Sequence, residues 1–109
     1  MIHTKKQIED LVRKLMKDVK RNYLEKNEIY ISFETNHKIP VLNKVVNNCW
    51  QIAVDVHDDQ SNKDEPASIL LYINDTTLDF EGYLDGSMGR PIPLLPKKDS
   101  DGIFYLDKF

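Results

Sequence analysis

Between Ile8 and Leu24, apolar residues recur at steps of three and four: Ile8, Leu11, Val12, Leu15, Met16, Val19, Tyr23 and Leu24. That spacing draws one stripe along a helix and predicts an amphipathic α-helix from Thr4 to about Lys26, roughly six turns. Thr4 and Gln7 have the Thr-x-x-Gln spacing of a capping box, which starts such a helix by satisfying its first backbone N–H groups. Glu9 with Arg13, and Asp10 with Lys14, are spaced for small i,i+4 support on the wet side. Downstream the period becomes two. Ile29, Ile31 and Phe33 alternate with Tyr30, Ser32 and Glu34, and Trp50, Ile52, Val54 and Val56 alternate with Gln51, Ala53, Asp55 and His57. Leu78, Phe80 and Leu84 alternate with Asp79, Glu81 and Tyr83. These segments predict half-buried strands with aliphatic side chains on one face and tyrosines and acids on the other.

The segments between them are mostly turns. Residues 35–40 are expected to form a polar connection, residues 41–48 a short helical stretch or an irregular strand edge, and residues 58–66 a long polar loop. Ile69, Leu70, Leu71, Tyr72 and Ile73 form a continuous apolar run, which predicts a central strand. Asn74, Asp75, Thr76 and Thr77 then make a hairpin turn. Pro91, Pro93 and Pro96 predict an edge strand or extended coil. Asp99, Ser100, Asp101 and Gly102 form a turn before a last strand from Ile103 to Phe109. The expected fold is α+β over residues 1–109 as one domain. One long N-terminal helix packs on a mostly antiparallel sheet of four to five strands, the layout of cystatin-like and NTF2-like folds. Its core should hold Ile8, Leu11, Leu15, Val19, Ile31, Phe33, Ile52, Val54, Leu71, Ile73, Leu78 and Phe80. Leu70 and Tyr72 have the opposite parity and should face away.

Composition narrows the class. The 109 residues suffice for one core, and a lone cysteine, Cys49, excludes an internal disulfide. No apolar run approaches the ~20 residues of a membrane span, and the first residues lack the pattern of a secretory leader, so a soluble cytoplasmic protein is expected. The net charge of −3 is unevenly placed. Residues 1–27 hold eight Lys/Arg against four Asp/Glu, giving +4, and residues 28–109 hold seven against fourteen, giving −7. The helix lysines and arginines interleave with acids and lack aromatics for base stacking, so no nucleic-acid binding is expected.

Catalytic patterns are thin. Asp55, His57 and Asp59, with His37 as a further donor, are the best metal-like group, but a hydrated strand-to-loop transition explains them with less; no metal or cofactor is expected. Ser87 lies outside a Gly-x-Ser-x-Gly elbow, and Cys49 at a strand start reads as a small semi-buried thiol. The chemistry-bearing feature is the tyrosine–acid face, so the candidate partner-binding residues are Tyr30, Glu34, Asp55, Asp58, Asp59, Tyr72, Asp79, Glu81 and Tyr83. Carboxylates set among tyrosines suit a basic protein partner, with the 58–65 loop alongside and Tyr72 and Tyr83 as anchors.

With its opening amphipathic helix, its Trp50-Gln51-Ile52-Ala53-Val54 strand and the hairpin from Leu71 to Phe80, the chain resembles the small cytoplasmic immunity proteins of bacterial polymorphic and contact-dependent toxin systems. The resemblance implies a non-enzymatic inhibitor whose acidic surface plugs the basic active site of a toxin, often a nuclease. Two other classes stay open: an NTF2-like ligand binder or enzyme with a cavity lined by Trp50, Tyr23 or His57, and an oligomer that buries the same face.

Overall fold

The computed structural model describes residues 2–39, 42–56, 67–86 and 93–108. Among them, one helix, α1 (Lys5–Asp18), leads into six strands: β1 (Tyr30–Ile39), β2 (Lys44–Val56), β3 (Ala67–Asn74), β4 (Phe80–Asp85), β5 (Pro93–Lys98) and β6 (Phe104–Lys108). The strands form an antiparallel meander in the order β1-β2-β3-β4-β5-β6, so the fold is α+β with six strands where four to five were expected.

The capping box forms. Thr4 accepts from the Gln7 N–H at 3.2 Å and its own N–H donates to Gln7 Oε1 at 2.8 Å. The helix stops eight residues short of expectation. Lys20 takes a left-handed conformation (φ 57°), and the N–H groups of Lys20 and Arg21 return to the carbonyls of Lys17 and Met16. That is a Schellman stop, here built on a lysine where glycine is usual. Tyr23 and Leu24 therefore continue the apolar pattern outside the helix, and the Leu24 N–H donates to the Asp55 carbonyl at 2.8 Å. On the wet side Arg13 reaches Glu9 as expected, whereas Lys14 pairs with Asp18 and Lys6 takes Asp10.

Ile8, Val12, Leu15 and Met16 press onto the inner sheet face, against Trp50, Ile52, Val54, Ile69, Leu71, Ile73, Phe80 and Phe104, all buried. At roughly 1.5–3 kcal/mol per fully buried large side chain, this layer dominates stability. Leu11, Val19, Ile31, Phe33 and Leu78 join it partly buried. Pro93 opens β5 and Pro96 lies beyond Leu94, the last described partner of β4 on that strand, the kinds of place a sheet admits proline. Even so, β5 lies inside the sheet and not at its edge. The turn at Gly102 is left-handed (φ 79°), with Asp99 Oδ1 accepting from Asp101 and Ile103.

Two irregularities rearrange the faces. β1 runs on through residues 35–39, and its left-handed Asn36 (φ 52°) sits where the pairing skips from Thr35–Asn48 to His37–Val46. Beyond it the side chains change sides. Val46 joins Ile39, Cys49, Tyr72, Leu84 and Leu42 in a second, smaller cluster on the outer face. The register between β3 and β4 also shifts at Tyr72/Ile73, from Ile73–Phe80 to Tyr72–Gly82. After this bulge Tyr83 turns inward and Leu84 outward, the reverse of the strict alternation expected.

Candidate binding surface

The outer face can be followed in rows across the strands. Tyr30 pairs with Ala53, and Ala53 with Leu70, so one apolar row crosses β1, β2 and β3. Tyr30 is 65 % exposed and Leu70 39 %. Ser32, Gln51 and Tyr72 form the row on one side of it, and Asp55 opposite Ser68 lies on the other. Leu70 is thus the residue that the sequence pattern set aside merely as facing away, and it supplies exposed apolar surface at the middle of the sheet.

The tyrosines expected as anchors lie elsewhere. Tyr72 is on the outer face but only 6 % exposed, because the far end of the β1–β2 hairpin bends over it: His37 stacks on its ring at 5.6 Å between centroids. Tyr83 is 2 % exposed on the inner face, where the bulge has put it. Burial pushes its hydroxyl up to about 12, with Asp85 adding to the effect and Arg21 opposing it. Both are corrected from surface anchors to core residues.

The carboxylates are also largely answered within the chain. Asp55 accepts from Asn27 Nδ2 at 3.0 Å and Ser68 Oγ at 3.3 Å. Glu81 pairs closely with Lys44, and Glu34 Oε2 lies 3.0 Å from His37 Nδ1. The expectation of carboxylates left open for a basic partner is therefore corrected for these three, while Asp79 is exposed beside the β3–β4 turn. Asp58, Asp59, His57 and Ser87 lie outside the described residues, as does the 58–65 loop.

His37 holds the edge of this surface together. Its Nδ1 meets Glu34 and, at 3.3 Å, the Gln51 amide, and its buried Nε2 has no hydrogen-bond partner among the described residues. The neighbouring Cys49 is fully buried; desolvation, reinforced by Glu81 and Glu34, pushes its thiol up to about 11, which keeps it in the unreactive protonated form. Among the described residues no three His, Cys, Asp or Glu side chains gather as a metal site, and no helix is long and apolar enough to cross a membrane.

A second polar centre was not foreseen. Asp75, 1 % exposed, accepts from Trp50 Nε1 at 2.8 Å, from the His3 N–H and Nδ1 at 3.1 and 3.2 Å, and from the Ile2 N–H. Burial pushes this carboxyl up, but the hydrogen bonds outweigh it and hold the group down at about 2. In sequence Asp75 is only one residue of a turn, and nothing local marks it. Its role is to anchor the segment before α1 onto the sheet. Compared with known proteins, the chain matches no family model, no curated protein and no solved structure.

Proposed function

We propose that the protein is a non-enzymatic binding module of the immunity-protein kind, which neutralises a basic bacterial toxin by covering it with the outer sheet face. The observation that carries this is the apolar row Tyr30–Ala53–Leu70, exposed at both ends, set across three hydrogen-bonded strands and flanked by the Ser32–Gln51–Tyr72 row on one side and by Asp55 and Ser68 on the other. An apolar centre with a polar rim is the usual anatomy of a protein interface, and a tyrosine on a rigid strand loses little entropy on docking. The −7 charge of residues 28–109 favours a basic partner and speeds its approach. The same reading carries the finer likeness to cystatin-like and NTF2-like sheets, supported by an uninterrupted meander on one helix. Among the described residues Trp50, Ile8, Val12, Leu15 and Met16 fill the space between α1 and the sheet, and the hollows that touch Tyr23 and Trp50 open at the surface, which favours the binding-face reading over an interior ligand cavity.

The test is calorimetry against the purified product of the adjacent gene. Tyr30→Ala and Leu70→Lys should each weaken binding about 30-fold, the ~2 kcal/mol of an interface anchor. Lys17→Glu, on the exposed side of α1, should leave it within about twofold. Binding indifferent to Tyr30 and Leu70 but lost with Lys17 would move the interface to the helix. No binding at all would remove the toxin reading.

A further inference from the structure

We propose that the edge of β1 and the adjoining flank of α1 form a second docking groove, which takes an extended, acidic peptide segment of a partner as a seventh strand. The groove shares Tyr30 with the outer face but is argued from the β1 edge and does not rest on that reading. Among the described residues β1 ladders only with β2, so its other side presents unpaired backbone. Asn36 breaks the straight run, which leaves residues 30–35 as a usable edge of about 20 Å, enough for a peptide of five or six residues.

Two surface hollows follow this edge, and Lys5, Tyr30 and Ile31 line both. One extends past Lys6 and Glu28, the other past Ile2 and His3 to Phe33 and Trp50. The inner-face residues here are less covered than their cross-strand partners. Ile31 is half-buried where Ile52 is buried, and Phe33 is half-buried where Trp50 is buried. The helix thus leaves the inner side of β1 open. Side chains at positions i and i+2 of an added strand would enter the two hollows, with the intervening one beside Ser32.

The two hollows differ in charge: Glu9 and Glu28 balance Lys5 and Lys6 in one, whereas the other holds Lys5 and His3 and, among the described residues, no acid, so a carboxylate belongs in the second. The first turn of α1 contains no acid and carries Lys5 and Lys6 at the positive end of the helix dipole. Lys6 is answered by Asp10, whereas Lys5 has no ion-pair partner among the described residues. A carboxylate on the incoming strand meets Lys5.

The test titrates the full chain with a capped heptapeptide in which valine alternates with threonine and which ends in two aspartates. Amide NMR shifts and slowed hydrogen exchange are expected at residues 30–35, together with shifts at Ile2 to Lys6. Lys5→Glu, or lysines in place of the peptide's aspartates, should weaken binding about tenfold. The same peptide N-methylated at alternate nitrogens should not bind. Leu70→Lys should leave peptide affinity unchanged, so this groove and the outer face fail separately. Equal binding by the N-methylated peptide, shifts centred on Ala53 and Leu70, no binding at millimolar peptide, or a peptide-free dimer protected along β1 would each overturn the proposal.

Discussion

Replacing Asp75 with asparagine exchanges one oxygen for an amide nitrogen inside a site whose described backbone and indole partners all donate. The Ile2 and His3 backbone N–H groups and the Trp50 indole N–H all point at the carboxylate. The amide still accepts through one oxygen, but its NH2 then faces another donor, leaving at least one buried N–H unsatisfied at about 1–3 kcal/mol. The depressed titration of the carboxyl reports the same hydrogen bonds from another side. Asp75 is held at about 2 against an ordinary 3.8, a difference equivalent to about 2 kcal/mol for a buried group. Because the folded-state value is depressed, that stabilisation is present above the ordinary value and fades as pH falls through the folded one. Asp75→Asn should therefore cost about 1–3 kcal/mol at pH 7, a sizeable part of the 5–15 kcal/mol typical of a folded protein. The natural assay is urea unfolding followed by fluorescence of Trp50, the one tryptophan and itself a donor to Asp75. The midpoint should fall by about 1–2 M. The parent should also lose stability between about pH 5 and 2 while the variant loses much less. An unchanged midpoint, or the same acid sensitivity in both proteins, would refute the reasoning and reduce the site to incidental polar contact.

Two further outcomes test the fold. Tyr83 is buried with its hydroxyl pushed up to about 12, so the stability tied to its neutral form is lost as pH rises from its ordinary value near 10 toward 12; Tyr83→Phe should flatten that alkaline decline in urea midpoints. Lys20 occupies the left-handed helix stop, and Lys20→Gly should raise stability by about 0.5–1 kcal/mol in thermal unfolding, since glycine adopts that conformation without strain.

Much of this architecture is legible in the residues. Thr4 and Gln7 announce the helix start, the Ile69–Ile73 run is indeed interior to the sheet, and the turn at Gly102 follows from its Asp-Ser-Asp-Gly composition. Two misreadings carry a period past a point where the backbone breaks it, at the left-handed residue after α1 and at the bulge in β4. The apolar stripe includes Tyr23 and Leu24, which pack as extended chain, because a lysine and not a glycine terminates α1. Polar residues 35–38 read as a loop because they occupy an edge strand. The bulge in β4 reversed Tyr83 and Leu84, and here a signal existed: Gly82 interrupts the strand, and a glycine at such a place often marks a bulge. Its Cβ would come 2.8 Å from Leu42, so the outer cluster closes directly over it. The exposed row Tyr30–Ala53–Leu70 depends on pairing between strands far apart in sequence, which no local pattern contains.

The ladder between β4 and β5 has a consequence for how the molecule comes apart. Among the described residues it consists of two pairs, Tyr83–Leu94 and Leu84–Pro93, whereas β1 through β4 are joined by longer runs. Helix α1 spans that seam. At one end Ile2 and His3 are tied to Asp75 beside β3; at the other, Asp18 accepts from the Phe104 N–H at 3.1 Å and Lys14 donates to the Gly102 carbonyl at 2.9 Å, next to β6. The helix therefore acts as a tie-bar across two leaves of one sheet. Release of either end should let β5 and β6 swing away as a unit, exchanging their amides with solvent before β2 and β3 yield theirs.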